Sequence, residues 1–207
     1  MEKKKNTGKE KKLQTVNAYW AEHCLCTLRA GATQAVPGNG DADAQILFIG
    51  EAPGKKEDLG GIPFIGSAGK FLSEMLASIH LKREDIFITN VVKYRPPENR
   101  DPSPEEKEAC RQWLVDQVKI IDPVLIVTLG RHAMENFIPD KKISDVHGKT
   151  FCLTFPDLGM RTFYCLYHPA AALYNGGLRE ALKKDFKRIP RLLKKIQEEK
   201  INPSRKS

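Results

Sequence analysis

Ile46-Leu47-Phe48-Ile49-Gly50-Glu51-Ala52-Pro53-Gly54 decides how the chain is read. A short apolar run ending in glycine reads as a buried strand, and the acidic turn behind it, with its proline and glycine, ends that strand. A second glycine-bounded piece, Gly61-Ile62-Pro63-Phe64-Ile65-Gly66, follows closely. In open α/β sheets ligands bind outside the carboxyl ends of the strands. Glu51 and Phe64 are therefore expected at the lip of a pocket, with the backbone closely approached at Gly50 and Gly54.

Outward from this strand, periodicity sets the remaining elements. Ala68, Phe71, Leu72, Met75, Leu76 and Ile79 recur at helical spacing and predict a helix over 66–80. A second strand is expected over 86–92, with Asn90 as its strongly polar interior residue, followed by a basic, proline-stiffened loop over 93–102. Ser103-Pro104-Glu105-Glu106 is a capping box with proline at the first helical position, so a helix should start there. A third buried strand over 124–130 leads into a short helix over 131–137. Segments 151–155 and 162–167 read as a strand pair around Pro156-Asp157-Leu158-Gly159. An early helix over 13–28, a loop over 31–44 and a last helix over 178–196, kinked or restarted at Pro190, complete the reading. Alternating strands and helices imply a three-layer α/β/α sandwich around a central, mainly parallel, four-stranded sheet.

The 207 residues support one substantial core. A single domain over 13–198 is expected, between a disordered basic tail over 1–12 and a flexible basic tail over 199–207. Lys and Arg number 34 against 26 Asp and Glu, a net charge of +8 that favours an anionic partner such as nucleic acid. Much of that excess lies near the two ends. No stretch is long and apolar enough to cross a membrane, and the charged start lacks an apolar secretory core. The expectation is a cytoplasmic monomer. Five cysteines, Cys24, Cys26, Cys110, Cys152 and Cys165, form no secreted disulfide pattern, which leaves core packing or metal binding.

Three strand ends carry chemistry: Glu51, Asn90 and His168. In a parallel sheet they open on one edge. Glu51 offers a base or an anionic charge, Asn90 an amide that can read a heterocycle edge, and His168 a donor to developing negative charge. Phe64 adds a flat stacking face. The set suits a planar polar ring better than a phosphate. Taken singly, each residue also has a structural reading, as a turn cap, a loop contact, a surface turn residue or core.

Gly50-Glu51-Ala52-Pro53-Gly54, Glu57-Asp58, Gly61 to Gly66, Ser67-Ala68-Gly69, Thr89-Asn90-Val91-Val92-Lys93, Arg95-Pro96-Pro97, Asn99-Arg100-Asp101-Pro102 and His168-Pro169-Ala170 occur in that order. Together they resemble the uracil-DNA glycosylase superfamily, specifically the family 4 enzymes of bacteria and archaea. The resemblance implies a monofunctional glycosylase that flips uracil out of DNA and cleaves its N-glycosidic bond, leaving an abasic site. It implies that Phe64 stacks on uracil, Asn90 reads its pairing edge and His168 donates to O2 of the departing base. Glu51 would orient the attacking water, and Ala52 and Pro53 would fix the turn. Gly54, Lys70, Lys93, Arg95, Arg100, Pro169 and Ala170 would face DNA, with Leu173 as the wedge into the duplex.

The resemblance also implies a 4Fe-4S cluster on four cysteines, and here the chain departs from the family. Cys26 and Cys110 occupy two of the four positions; His23 and Tyr94 stand at the others, with Cys24 as a possible substitute for the first. A tyrosine suits a thiolate cage poorly, so no cluster and no other cofactor is expected. The basic insertion of the branch that traps uracil-DNA covalently is absent, which argues for turnover. Two competing readings stay open: a DNA-binding protein without catalysis, and a glycosylase for another deaminated or oxidised base.

Overall fold

The computed structural model describes residues 8–201. Helix α1 (Gly8–His23) and a 3₁₀ turn at Thr27–Gly31 precede strand β1 (Asn39–Gly40) and strand β2 (Ile46–Gly50). Helices α2 (Lys55–Gly60) and α3 (Ser67–Ala77) lead to β3 (Phe87–Asn90), and α4 (Pro104–Ile121) leads to β4 (Leu125–Leu129). Short helices α5 (Arg131–Glu135) and α6 (Ile143–Val146) precede the hairpin of β5 (Thr150–Phe155) and β6 (Gly159–Leu166). Helices α7 (Pro169–Tyr174), α8 (Gly176–Phe186) and α9 (Ile189–Ile201) close the described chain.

The sheet order is β1-β3-β2-β4-β6-β5. The four central strands, β3, β2, β4 and β6, are mutually parallel, as the alternation of strands and helices predicts. Two antiparallel edge strands bring the total to six: β5 from the predicted hairpin, and β1 from the segment read as loop. Every residue of β2 is buried because alternate side chains enter different layers. Leu47 and Ile49 join Trp113, Val118 and Leu114 of α4 on one face. Ile46 and Phe48 join Phe71, Leu72 and Leu76 of α3 and Phe186 of α8 on the other.

Local sequence explains the helix ends. Ser103 Oγ accepts from the Glu106 backbone N–H while Glu106 accepts from that of Ser103, so α4 begins on the predicted capping box. Proline in the first turn of α9 restarts the chain after α8 rather than bending one long helix. Helix α1 starts at Gly8, which corrects the disordered reading for residues 8–12; residues 1–7 lie outside the described part. Lys9 supplies the reason, its ammonium donating to the Ile121 carbonyl at the end of α4 at 2.9 Å. Farther along, Trp20 donates to Asp116. The second tail is likewise shortened, since α9 runs to Ile201. Among the described residues no helix is long and apolar enough to cross a membrane.

Candidate active site

The register of the parallel strands pairs Gly50 with Asn90 and Leu129 with Leu166, so β2, β3, β4 and β6 end along one edge. A cavity of about 350 Å³ opens there, lined by Glu51, Phe64, Asn90, Asp101 and His168 among others. That volume is enough for a small planar ligand. Gly50 lies behind two of the lining side chains, Asn90 and Phe64. A Cβ at this position would come inside 3.0 Å of Asn90 Oδ1 and lie 2.6 Å from Phe64 Cζ. Only glycine lets the amide and the aromatic ring press against the same stretch of backbone.

Phe64 holds a left-handed backbone, φ 55°, a conformation that costs a bulky residue about 1–3 kcal/mol and persists only where its surroundings impose it. Two constraints do so. Arg83 donates to the carbonyls of Pro63 and Phe64 at 2.6 and 2.9 Å. Gly69 lets α3 approach so closely that any Cβ there would overlap the Phe64 carbonyl. The Phe64 ring lies 5.6 Å from the His168 ring, tilted by 32°.

Asn90 is 1% exposed, and its Oδ1 has no hydrogen-bond partner. A buried acceptor left unpaired costs about 1–3 kcal/mol, which a ligand N–H would relieve. His168 caps α7, its Nδ1 accepting from the Ala170 backbone N–H at 3.1 Å. The other ring nitrogen, Nε2, therefore carries the proton and is free to donate. Burial pushes the pKa of His168 down to about 4, so this neutral tautomer persists at physiological pH.

Glu51 is half-buried, and burial, followed by the nearby Asp101 charge, raises its pKa to about 7. His132, the second residue of α5, stands 3.9 Å from Glu51 Oε2 and 3.0 Å from Asp101 Oδ2. Burial lowers the His132 pKa, so both shifts run against an ion pair between Glu51 and His132. These two groups and Asp101 offer donor atoms within 4.8 Å of one another. Reading the sequence missed His132 and Asp101 as site residues. The available signal was the Leu129-Gly130 strand end, which delivers the next residues to the same edge.

The predicted DNA-facing residues divide. Lys70 is exposed on α3, and Ala52, Gly54 and Ala170 line the cavity. Arg95 donates to Asn99 at 2.8 Å. Arg100 also lines the cavity, but its guanidinium is held by both Glu106 oxygens at 2.6 and 2.8 Å. Lys93 is a correction: it is 0% exposed and folds back under its own strand, so it cannot touch phosphate. Pro169 is also buried, which corrects its assignment as a DNA contact. Leu173 leans on the core, whereas Tyr174 beside it is 92% exposed.

The cysteine positions can be tested against a four-iron cluster. Cys24, Cys26 and Cys110 are buried together, with Cys24 and Cys110 sulfurs in contact at 4.0 Å. The Cys24 and Cys26 thiols point at the carbonyls of Ala109 and Glu106. Tyr94 packs edge-on against Trp113, its hydroxyl aimed at the Ala21 carbonyl. Burial raises its pKa to about 12, which keeps the phenol neutral. His23 is exposed and stacks on Tyr19. Three cysteines and a neutral phenol supply at most three of the four thiolates that such a cage needs, so the residues do not fit it.

The family described as the uracil DNA glycosylase superfamily matches residues 37–194. The type-4 uracil-DNA glycosylase of Archaeoglobus fulgidus is 49% identical over 177 residues, covering 83% of this chain and 88% of that protein. The type-4 enzyme of Sulfurisphaera tokodaii is 48% identical, covering 81% and 78%. That of Thermotoga maritima is 37% identical, covering 90% and 97%.

Proposed function

The chain belongs to the uracil DNA glycosylase superfamily and is a uracil-DNA glycosylase, and we propose that the residues gathered in this cavity perform its reaction without an iron-sulfur cluster. The enzyme hydrolyses the N-glycosidic bond of uracil in DNA and leaves an abasic site. In the proposed arrangement the flipped base rests on Phe64. Asn90 reads its pairing edge, Oδ1 accepting from N3–H and the amide N–H₂ donating to O4. Cytosine presents the opposite pattern and would leave the buried amide mismatched.

As the glycosidic bond breaks, negative charge gathers on the departing base. The Nε2–H of His168 would meet it at O2, a neutral donor preorganised by the Ala170 contact. Glu51 as carboxylate would orient the attacking water and offset the positive charge on the sugar. The observation that supports this reading best is the unpartnered Asn90 Oδ1, held beside Phe64 and facing the cavity that His168 closes. The test is an oligonucleotide with one uracil, treated with enzyme and then alkali. Strand scission at the uracil is expected from the wild type and, at equal enzyme and time, at a rate lower by about 10² or more from each of the Asn90→Ala, His168→Ala and Glu51→Gln variants. Undiminished scission by these variants would contradict the assignment.

A further inference from the structure

Lys93 has no task in this scheme, yet its side chain is entirely enclosed. Burial lowers its pKa to about 7, and in its protonated form the three ammonium hydrogens meet three neutral acceptors: Thr89 Oγ1 at 2.6 Å, the Asn90 carbonyl at 2.7 Å and Gln117 Oε1 at 2.8 Å. The acceptors are themselves fixed. Gln117 donates through Nε2 to Asn17 Oδ1 and the Pro37 carbonyl, at 2.8 and 2.7 Å, which turns its Oε1 toward Lys93. Thr89 Oγ1 donates to the same Pro37 carbonyl at 2.7 Å and is left to accept from Lys93. A charged donor binds a carbonyl more strongly than a neutral one. An apolar side chain of similar size would fill this space without the cost of burying a charge.

We propose that Lys93 is a positioning residue for base recognition: its ammonium, braced on Thr89 and Gln117, grips the Asn90 carbonyl and fixes the Asn90 amide against Gly50 in the orientation that reads uracil. This inference rests on Asn90 being the uracil contact. It assigns to the end of β3 a rigid three-legged support, and it makes selectivity depend on a residue that never meets the base. Misplacing a recognition group by a fraction of an ångström weakens binding and chemistry together.

The experiment measures inhibition by free uracil, kcat on uracil-containing DNA, affinity for abasic-site DNA and melting temperature. Lys93→Met keeps the length and removes all three donors. The uracil inhibition constant should rise and kcat should fall, each by about 10–100-fold, with abasic-DNA affinity held, while the melting temperature falls because three buried acceptors lose their donor. A structural role alone would lower the melting temperature and leave the uracil constant of the folded enzyme unchanged, and that result overturns the inference. Gln117→Leu removes a single leg and should move the same two constants in the same direction by less. Should Lys93→Met fail to fold, an unchanged uracil constant in Gln117→Leu overturns the inference instead. Asn90→Ala separates the two levels. If it raises the uracil constant while both support variants leave it unchanged, the Lys93 inference alone falls; if Asn90→Ala has no effect, the reading of the pocket falls with it.

Discussion

In the proposed scheme two side chains set the chemistry, and their environments push them toward opposite tasks. His168 is kept neutral by burial, with its proton fixed on Nε2 by the Ala170 contact. Replacing it by alanine should lower kcat by about 10²–10³ with little change in uracil-DNA affinity, measured under single-turnover conditions. Glu51 titrates near pH 7 because burial disfavours its carboxylate. If the carboxylate is the working form, kcat should climb as pH rises through about 7, and Glu51→Gln should be slow at every pH. His168 cannot supply that limb, since it is already neutral above about pH 4. The stability sign is opposite. The folded pKa of Glu51 lies above its unfolded value, so its contribution is complete below the ordinary carboxylate range and is lost as pH rises through about 7. Glu51→Gln should therefore melt higher than wild type at pH 8 and level with it at pH 4.

At the scale of elements, the turn after β2 is where backbone makes the pocket. Gly50→Ala would drive a methyl group into the Asn90 amide and the Phe64 ring, and should cost at least about 10² in kcat/KM while the circular dichroism spectrum stays native. Helix α7 makes a separate prediction. Its exposed tip is Tyr174, a stacking face for an unpaired base, so Tyr174→Ala should weaken DNA binding about 10-fold while leaving inhibition by free uracil unchanged. These elements differ in how far sequence exposes them. The parallel strands were legible because buried β strands form short apolar runs, and Glu51, Asn90 and His168 followed from the rule that such strands end on one edge. Lys93 was not, because a basic residue in a proline-rich loop reads as surface until the chain's turn under β3 is known. His132 was hidden for a related reason: helical periodicity gives its element but not the cavity that the element faces. Residues 8–12 look disordered by composition, and only the α4 carbonyl that Lys9 reaches reveals why they are helical.

Across the whole molecule, two apolar layers clamp a sheet whose active edge is assembled from four strand ends far apart in sequence. The thiols of Cys24, Cys26 and Cys110 join one of those layers, with Tyr94 filling the space beside them. On this account they pack as core, and the reaction depends on the cavity at the other end of the strands. The most direct test is one assay: uracil release from a single-uracil oligonucleotide by purified enzyme whose iron and acid-labile sulfide have been quantified in the same sample. Stoichiometric alkali-labile abasic sites are expected from protein holding far less than one iron per chain. Activity that scales with iron content, and vanishes in the iron-free fraction, would contradict this expectation.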